Sequence, residues 1–361
     1  MSRKLRVGVI FGGKSGEHEV SLVSAKGIMG AMDKSKYEII PIGITKEGCW
    51  ITEGDPMKTL EARAYEKARS EACGEGELIP GIRGDFPQVD VLFPVLHGPY
   101  GEDGTVQGLL ELVNIPYVGA GVLASALKMD KIAMKATFIA HGLPVVDHMA
   151  LKRKDWERDP EGMMRRIEEA FGYPCFIKPA NLGSSVGVSK VHDRSELAPA
   201  LDLAASYDRK MLAERGVNAR EIECSVLGND DPIASVPGEI IPCREFYDYK
   251  AKYIDGRSEL IIPAPLSPEM TKRVQELSIK AYLAIDCAGM ARVDFLLDRD
   301  SGQLYIGELN TIPGFTPISM YPKLWEASGI GYSELIDRLI ELALERHADK
   351  SRSRTSYDFD Q

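Results

Sequence analysis

Four polar residues alternate in two neighbouring segments near the end of the chain. Arg292 and Asp294 are two positions apart in the first segment, and Glu308 and Asn310 are two positions apart in the second. Because side chains alternate between the faces of a strand, each pair shares a face. A hairpin centred on Ser301 would place Asp294 opposite Glu308 and Arg292 opposite Asn310.

The chemistry of this predicted patch favours a magnesium site. Its potential ligands are all oxygen atoms, which suit magnesium and not zinc. Charged residues are rarely buried in strands unless they are paired or bind a metal. A surface salt-bridge cluster on a solvated sheet face is the alternative. It agrees less well with Val293, Phe295, Ile306 and Leu309, which predict that the other face of both strands is buried.

A loop of small residues, from Gly183 to Gly187, could bind phosphate. Small residues let the backbone approach an anion closely, and successive N–H groups can form an anion-binding nest. A glycine-rich hairpin turn would explain the loop if it stood alone. Lys178 just before it, together with the oxygen-ligand patch downstream, favours the phosphate site.

A second glycine-containing segment, Gly8 to Ser15, matches the G-x-x-x-x-G-K-S pattern of a P-loop. In a P-loop the residues between the glycines wrap the phosphates after a strand has ended. Here Val9, Ile10 and Phe11 form the predicted strand itself. Too little backbone remains to surround a triphosphate, so we interpret the match as a coincidence.

The periodicity of the chain predicts an α/β protein. Strands alternate with helices in the first third, which indicates a parallel sheet. Residues 52 to 88 are polar and lack clear periodicity, so they are interpreted as an excursion. The predicted strands are 5–11, 39–44, 89–96, 173–178, 211–214, 221–227, 289–297 and 303–309, and the predicted helices include 105–113, one long helix over 125–140, 195–206 and 268–285.

Composition excludes several classes of protein. The 361 residues carry a net charge of −10 and no cluster of basic residues, which argues against a nucleic-acid partner. No apolar stretch approaches the ~18 residues that a membrane span requires, and the apolar run from Leu5 is a first strand and not a signal peptide. The six cysteines form no Cys-x-x-Cys pair, so reduced thiols in a cytoplasmic protein are expected.

Further motifs extend these signals over nearly the whole chain. They are Phe11 to Ser21, His97-Gly98, Gly101 to Gly104, Met129-Asp130-Lys131, Lys178-Pro179, Gly183 to Gly187, Tyr249 to Tyr253, Arg292-Val293-Asp294, Glu308 to Thr311 and Pro313 to Thr316. Together they resemble the D-alanine–D-alanine ligase family of the ATP-grasp superfamily. The resemblance runs from Leu5 to about His347 and leaves out residues 52 to 88 and the tail.

The resemblance implies a three-domain ATP-grasp fold with an N-terminal parallel-sheet domain. The expected boundaries are 1–123 for the N-terminal α/β domain on the side of the first D-alanine, 124–216 for the central ATP-grasp subdomain and 217–350 for the C-terminal subdomain with the metal site. Residues 351–361 are expected to form a disordered tail.

The resemblance also implies residue roles. ATP would be bound by Lys131, Lys178, Ser185, Glu214, Arg215, Val217 and Glu221. Two magnesium or manganese ions would be held by Asp294, Glu308 and Asn310. Catalysis would use Glu17, Ser184, Tyr253, Arg292 and Gly314, and substrate would contact His97, Lys252 and Ser319. Relatives often have lysine at the position of Arg215, a tolerable departure if the backbone makes the adenine contact.

The implied reaction is the ATP-dependent ligation of two D-alanine molecules through an acyl phosphate, for peptidoglycan precursor synthesis. The expected partners are D-alanine, ATP and a second copy of the chain in a homodimer. The charged loop from Glu245 to Gly256 would be a mobile lid. Two alternatives stay open: another ATP-grasp ligase, such as one that accepts D-lactate, and a nucleotide-sensing protein without turnover.

Overall fold

Three β-sheets and eleven helices make up the part of the chain that the computed structural model describes, which is residues 3–62, 87–241, 259–316 and 318–354. Within these ranges no helix is long and apolar enough to cross a lipid bilayer. The predicted lid, with Lys252 and Tyr253, lies outside the described residues.

The first sheet is formed by the N-terminal part of the chain. Its central strand, β1, pairs in parallel with β2 and β4, while the short β3 adds antiparallel to β2. The predicted parallel sheet is therefore confirmed. The four strands are β1 (Leu5–Gly12), β2 (Tyr37–Ile44), β3 (Trp50–Ile51) and β4 (Val91–Val95), and the helices are α1 (His18–Ala31), α2 (Pro56–Glu61) and α3 (Thr105–Leu112).

The second sheet is antiparallel, with strand order β5-β8-β6-β7. Its strands are β5 (His148–Lys152), β6 (Cys175–Pro179), β7 (Ser189–Val191) and β8 (Lys210–Arg215). It packs in its own hydrophobic core against helices α6 (Arg153–Arg158), α7 (Pro160–Phe171) and α8 (Arg194–Tyr207). The sequence did not predict β5, β7, α6 or α7.

The third sheet is also antiparallel and has six strands. The strand order is β12-β11-β9-β13-β14, and β10 pairs with β9. The strands are β9 (Ala219–Gly228), β10 (Ile233–Ala234), β11 (Gly238–Ile241), β12 (Glu259–Ile261), β13 (Gly289–Asp298) and β14 (Leu304–Asn310), followed by α10 (Met320–Ala327) and α11 (Tyr332–Lys350), while α9 (Pro268–Ala284) precedes β13.

The predicted long helix over 125–140 is wrong in one respect, because the structure has two helices there. Helix α4 (Val122–Met129) ends at Asp130, and α5 (Lys131–Ala140) begins directly after it. The extended backbone of Asp130 breaks the helix, and its carboxylate accepts hydrogen bonds from the N–H groups of Ile132 and Ala133. An aspartate that caps a helix start in this way stabilises it by about 1 kcal/mol.

The first part of the polar excursion contains α2, which begins with Pro56 and is capped by Asp55. One smaller expectation also needs correction. The expectation of reduced thiols is wrong for Cys49, which is disulfide-bonded. Three other described cysteines, Cys175, Cys224 and Cys287, are free and buried.

One hydrophobic core joins the first sheet to the segment that follows β14. Phe315 packs edge-on against Phe93 of β4, with their ring centroids 6.2 Å apart. Helix α11 reinforces this junction, because Arg346 stacks over the ring of Tyr117 and donates to its carbonyl oxygen. The ends of β1 and β4 are thereby held beside the third sheet, where the polar residues of β13 and β14 lie.

Candidate active site

Three carboxylates form a row across the third sheet. Glu223 of β9 lies opposite Asp294 of β13, and Asp294 lies opposite Glu308 of β14. The predicted pairing of Asp294 with Glu308, and that of Arg292 with Asn310, is confirmed. A bulge then shifts the register by one residue between Asp294 and Phe295, so the alternation that a regular hairpin would show ends just beyond the polar patch.

Arg292 is the cation that compensates this row. Its Nε and Nη2 each lie 2.7 Å from a different oxygen of Asp294, and Nε also lies 3.0 Å from Glu223. The guanidinium is largely buried, which lowers its pKa, but Asp294 and Glu223 raise the pKa by more, to well above the ordinary value. Because breaking a buried ion pair leaves an uncompensated charge, each member of this cluster depends on the others.

Asn310 completes the cluster by donating a hydrogen bond from Nδ2 to Asp294 at 3.0 Å. The three predicted metal ligands therefore lie together, with oxygen donors that suit magnesium. In this arrangement the Asp294 carboxylate is held by Arg292 and Asn310. Among the described residues no group of three His, Cys, Asp or Glu side chains is already arranged to hold a metal ion.

The predicted phosphate loop reaches from the second sheet to the first. Ser184 and Ser185 both have positive φ, at 52° and 57°, a conformation that turns successive N–H groups to one side. The Ser184 hydroxyl donates a hydrogen bond to Glu17. Glu17 lies at the N-terminus of α1, but its side chain makes no capping hydrogen bond there. Its carboxylate instead accepts the hydrogen bond from Ser184. Lys131 donates to the carbonyl of Leu182 just before the loop.

Two lysines share the carboxylate of Glu214 beneath the loop. Lys178 Nζ lies 2.5 Å from one oxygen, and Lys135 Nζ lies 2.5 Å from the other. Lys178 and Glu214 are diagonal neighbours on β6 and β8, while Lys135 comes from α5. Burial raises the pKa of Glu214, but the two lysines lower it by more, to about 2.

The pairing of Glu214 makes stability sensitive to acid. Its pKa of about 2 in the folded protein lies below the ordinary value of 4.5, so the stabilisation is present above pH ~4.5 and is lost as the pH falls towards 2. We expect the free energy of unfolding of Glu214→Gln to fall less steeply than that of the wild type in this range. Urea unfolding at several pH values would measure both slopes, and equal slopes would contradict the assignment.

Two cavities meet at the row of carboxylates. The first, of about 400 Å³, lies between the first and third sheets, and the second, of about 480 Å³, lies between the second and third sheets. The residues that line both are Gly183, Ser184, Glu223 and Glu308. A group transferred between a molecule in one cavity and a molecule in the other would pass between the predicted phosphate loop, Gly183 to Gly187, and this row.

The first cavity contains the predicted substrate residues that the structure describes. Its lining includes Glu17, His97, Arg292, Gly314 and Ser319. The two ring nitrogens of His97 lie 3.1 Å from the carbonyl oxygen of Ile312 and 3.5 Å from Ser24 Oγ, which fixes the ring at the end of β4.

Gly314 approaches Ser319 closely in this lining. A Cβ at position 314 would lie 2.7 Å from Ser319 Oγ, so a larger residue would require the Ser319 side chain to move. Ser319 itself accepts a hydrogen bond from the N–H of Thr316 at 3.0 Å. The backbone of the segment after β14 can therefore face the cavity directly.

The second cavity contains the residues predicted to bind ATP. Its lining includes Lys131, Lys178, Ser185, Glu214, Arg215, Val217, Glu221 and Asp294. Arg215 stacks over Tyr305 and donates to its hydroxyl at 3.2 Å, so this side chain is held by the protein. Its backbone lies at the end of β8, next to Gly216 and Val217 in the cavity wall.

Sequence reasoning missed two residues of these cavities, Lys135 and Glu223. Signals for both exist in retrospect. Lys135 follows Lys131 by one helical turn, so the two share a face of α5. Glu223 is two residues from Glu221 in one strand, so these two also share a face.

The sequence of the chain matches two family models that together cover most of it. The model described as D-ala D-ala ligase N-terminus matches residues 6–120, and the model described as D-ala D-ala ligase C-terminus matches residues 138–341. The chain belongs to the D-alanine–D-alanine ligase family. The two matched regions meet near α4 and α5, between the first and second sheets.

Relatives and solved structures agree with this membership. A D-alanine–D-alanine ligase of Thermoanaerobacter sp. (strain X514) is 57% identical over 97% of this chain and 99% of its own, and that of Natranaerobius thermophilus is 50% identical over 98% and 99%. The structure of the D-alanine–D-alanine ligase from Coxiella burnetii is 38% identical with a TM-score of 0.82, covering 97% of both chains.

A second solved structure is the VanG D-Ala:D-Ser ligase from Enterococcus faecalis. It is 37% identical with a TM-score of 0.81 and covers 94% of this chain and 100% of its own. The predicted α/β fold of the ATP-grasp type is thereby confirmed. Ligases that are similar in fold to this chain therefore differ in their second amino acid, which is D-alanine in one and D-serine in the other.

Proposed function

We propose that this protein uses ATP to join two D-alanine molecules into D-alanyl-D-alanine for peptidoglycan precursor synthesis. The observation that carries the proposal is the meeting of two cavities at Ser184, Glu223 and Glu308. ATP would occupy the second cavity and the amino acids the first. The curated relatives described above support the choice of D-alanine.

ATP would lie between the second and third sheets. Lys131 and Lys178 would contact its phosphates, and Ser185 and the rest of the predicted phosphate loop would lie above them. The backbone from Glu214 to Val217 would bind adenine, in agreement with the burial of the Glu214 carboxylate against lysines. Glu221 would bind the ribose hydroxyls.

Two magnesium or manganese ions are part of the proposal. Asp294 with Glu308 would hold one ion, and Glu308 with Asn310 the other. The residues fit in donor chemistry and in position, because Asp294 and Glu308 are opposite each other and Asn310 already contacts Asp294. When bound, such ions neutralise the charge on transferring phosphoryl groups.

The reaction would proceed in two steps. The carboxylate of the first D-alanine attacks the γ-phosphorus of ATP, which releases ADP and forms an acyl phosphate. The amine of the second D-alanine then attacks the acyl carbon, and phosphate leaves with the carbonyl restored. Arg292 and the backbone N–H of Gly314 would stabilise the oxyanion that forms between these events.

Four residues would hold the two amino acids during these steps. Glu17, whose carboxylate accepts a hydrogen bond from Ser184, would bind the ammonium group of the first D-alanine, and His97 would contact the same substrate. Ser319 and Lys252 would bind the carboxylate of the second D-alanine. From the resemblance we further propose that Tyr253 contacts Glu17 and Ser184.

The decisive experiment measures phosphate and dipeptide in the same reaction. With ATP and magnesium, D-alanine is expected to release one phosphate for each D-alanyl-D-alanine formed, and L-alanine is expected to release almost none. A folded protein that released no phosphate with D-alanine would contradict the proposal. ATP binding without turnover would instead favour the nucleotide-sensing alternative.

The same assay separates the possible acceptors. The similarity to a D-Ala:D-Ser ligase makes D-serine a specific competitor to test, and D-lactate tests the ester-forming alternative. We expect dipeptide of D-alanine to dominate when each competitor is present at equal concentration. A mixed product would identify a broader second-substrate site.

Two features of organisation also remain proposals. We propose domains at 1–123, 124–216 and 217–350, supported by the three sheets and by the family matches at 6–120 and 138–341. We also propose a homodimer, which light scattering after size-exclusion chromatography would distinguish from a monomer.

A further inference from the structure

Lys135 is a buried cation to which the proposed reaction gives no role. Its side chain is only 2% exposed, yet it belongs to the lining of the second cavity. Helix α5 fixes its position, because the cap at Asp130 sets the start of the helix and Lys131 lies one turn before Lys135 on the same face. A buried lysine is costly unless its charge is compensated or used.

The compensation of Lys135 is incomplete. Its ammonium lies 2.5 Å from one oxygen of Glu214, and among the described residues Nζ has no hydrogen-bond partner with good geometry. The same carboxylate also serves Lys178 through its other oxygen. Two cations share one anion, so the cluster of Lys135, Lys178 and Glu214 has a net charge of +1.

This excess positive charge lies in the wall of the second cavity, where the phosphates of ATP would bind. Without Lys135, Lys178 and Glu214 would form a neutral pair, and Lys178 would be committed to its carboxylate. With Lys135 present, Glu214 is shared, and the 23%-exposed side chain of Lys178 keeps charge available at the cavity surface. Charges interact more strongly in such a partly buried site than in water.

We propose that Lys135 is a positioning residue for nucleotide phosphates, which acts by sharing Glu214 with Lys178. It holds one carboxylate oxygen, fixes Lys178 at the cavity surface and leaves the cluster with one positive charge in excess. The proposal rests on the assignment of the second cavity to ATP. It predicts that Lys135 affects phosphate-bearing ligands and not the nucleoside.

The test replaces Lys135 by Met, which keeps the length of the side chain and removes the charge. Calorimetry would measure the affinity for ATP, ADP and adenosine in the wild type and in the variant. We expect the Kd for ATP to rise about tenfold and that for adenosine to stay within about twofold. In the ligation assay the KM for ATP should rise similarly, with a smaller change in kcat.

A charge-restoring variant sharpens the test. Lys135→Met with Glu214→Gln leaves Lys178 as the single cation and restores the net charge of +1. This double variant should recover much of the lost ATP affinity, because Lys178 is no longer neutralised. If ATP affinity stayed as low as in the single variant, charge sharing through Glu214 would be excluded.

Lys128 offers a matched control. It is also buried on the neighbouring helix α4, and it pairs with Glu102 at 2.8 Å, outside the lining of the second cavity. Lys128→Met should leave the ratio of ATP to adenosine affinity unchanged, even where it lowers stability. A similar change of that ratio in both variants would point to a general effect of losing a buried lysine and would overturn the proposal.

The remaining outcomes are also decisive. Equal weakening of adenosine and ATP, or unchanged ATP affinity in folded Lys135→Met, would overturn the inference. Lys135→Gln serves as a second variant, and failure of both to fold would assign Lys135 to folding alone. Failure of the wild type to bind ATP would instead refute the proposed function.

Discussion

Glu308→Gln is expected to lower kcat by about a thousandfold or more while the protein stays folded. Glu308 lines both cavities and stands opposite Asp294 in the row of carboxylates. In the proposed site it would serve both metal ions, so no other residue could replace its charge. The substitution keeps the volume of the side chain and removes only the negative charge.

The measurement compares kcat with metal affinity. Magnesium titrations of activity and of nucleotide binding should show that the variant needs more magnesium and does not reach the wild-type rate at saturation. Wild-type turnover at high magnesium would contradict the role of Glu308. Changed nucleotide binding gives a readout that does not depend on turnover.

Glu239 provides a control in the same sheet. It is buried on β11, pairs bidentately with Arg220, and lies outside the lining of both cavities. Glu239→Gln should therefore reduce stability more than it reduces kcat. A comparable loss of kcat in both variants would show that any lost carboxylate in this sheet disturbs catalysis.

The pairing of the hairpin could be predicted because strand alternation is local. Side chains alternate along a strand with a period of two residues. This period and the position of one turn were enough to place Asp294 opposite Glu308. The bulge after Asp294 was not predicted, although the extra residue, Gly307, is an isolated glycine inside a strand, which is a local sign of a bulge. It does not disturb the site because the shift falls on the turn side of the patch.

Other features depended on contacts between distant residues. The break at Asp130 was missed because the apolar spacing continues from α4 into α5, while the capping bonds of its carboxylate become visible only in three dimensions. The spacing from Lys131 indicates the face on which Lys135 lies, but its ion pair with Glu214 could not be predicted because Glu214 is distant in sequence. The roles of individual site residues came from resemblance and stay predictions until variants are measured.

Arg292→Lys tests whether Arg292, the cation beside the row of carboxylates, acts in catalysis or only in folding. Lysine keeps the positive charge between Asp294 and Glu223, but it loses the planar fork that now contacts both oxygens of Asp294. We expect kcat to fall by about 10²–10³, the range for loss of one oxyanion donor, with a modest decrease in stability.

The matched variant Arg292→Met separates charge from geometry. Removing the cation takes away the ion pairs that Arg292 makes with Asp294 and Glu223 in this largely buried row, which should destabilise the protein by about 3–5 kcal/mol. Chemical denaturation would measure stability for both variants, and single-turnover assays would measure the two steps. If Arg292→Lys kept the wild-type rate of dipeptide formation, a point charge would suffice at this position. The bidentate contact would then matter for assembling the row of carboxylates and not for the oxyanion. A slow second step in a stable Arg292→Lys protein is the result that assigns the guanidinium to catalysis, because a purely structural role would reduce stability first.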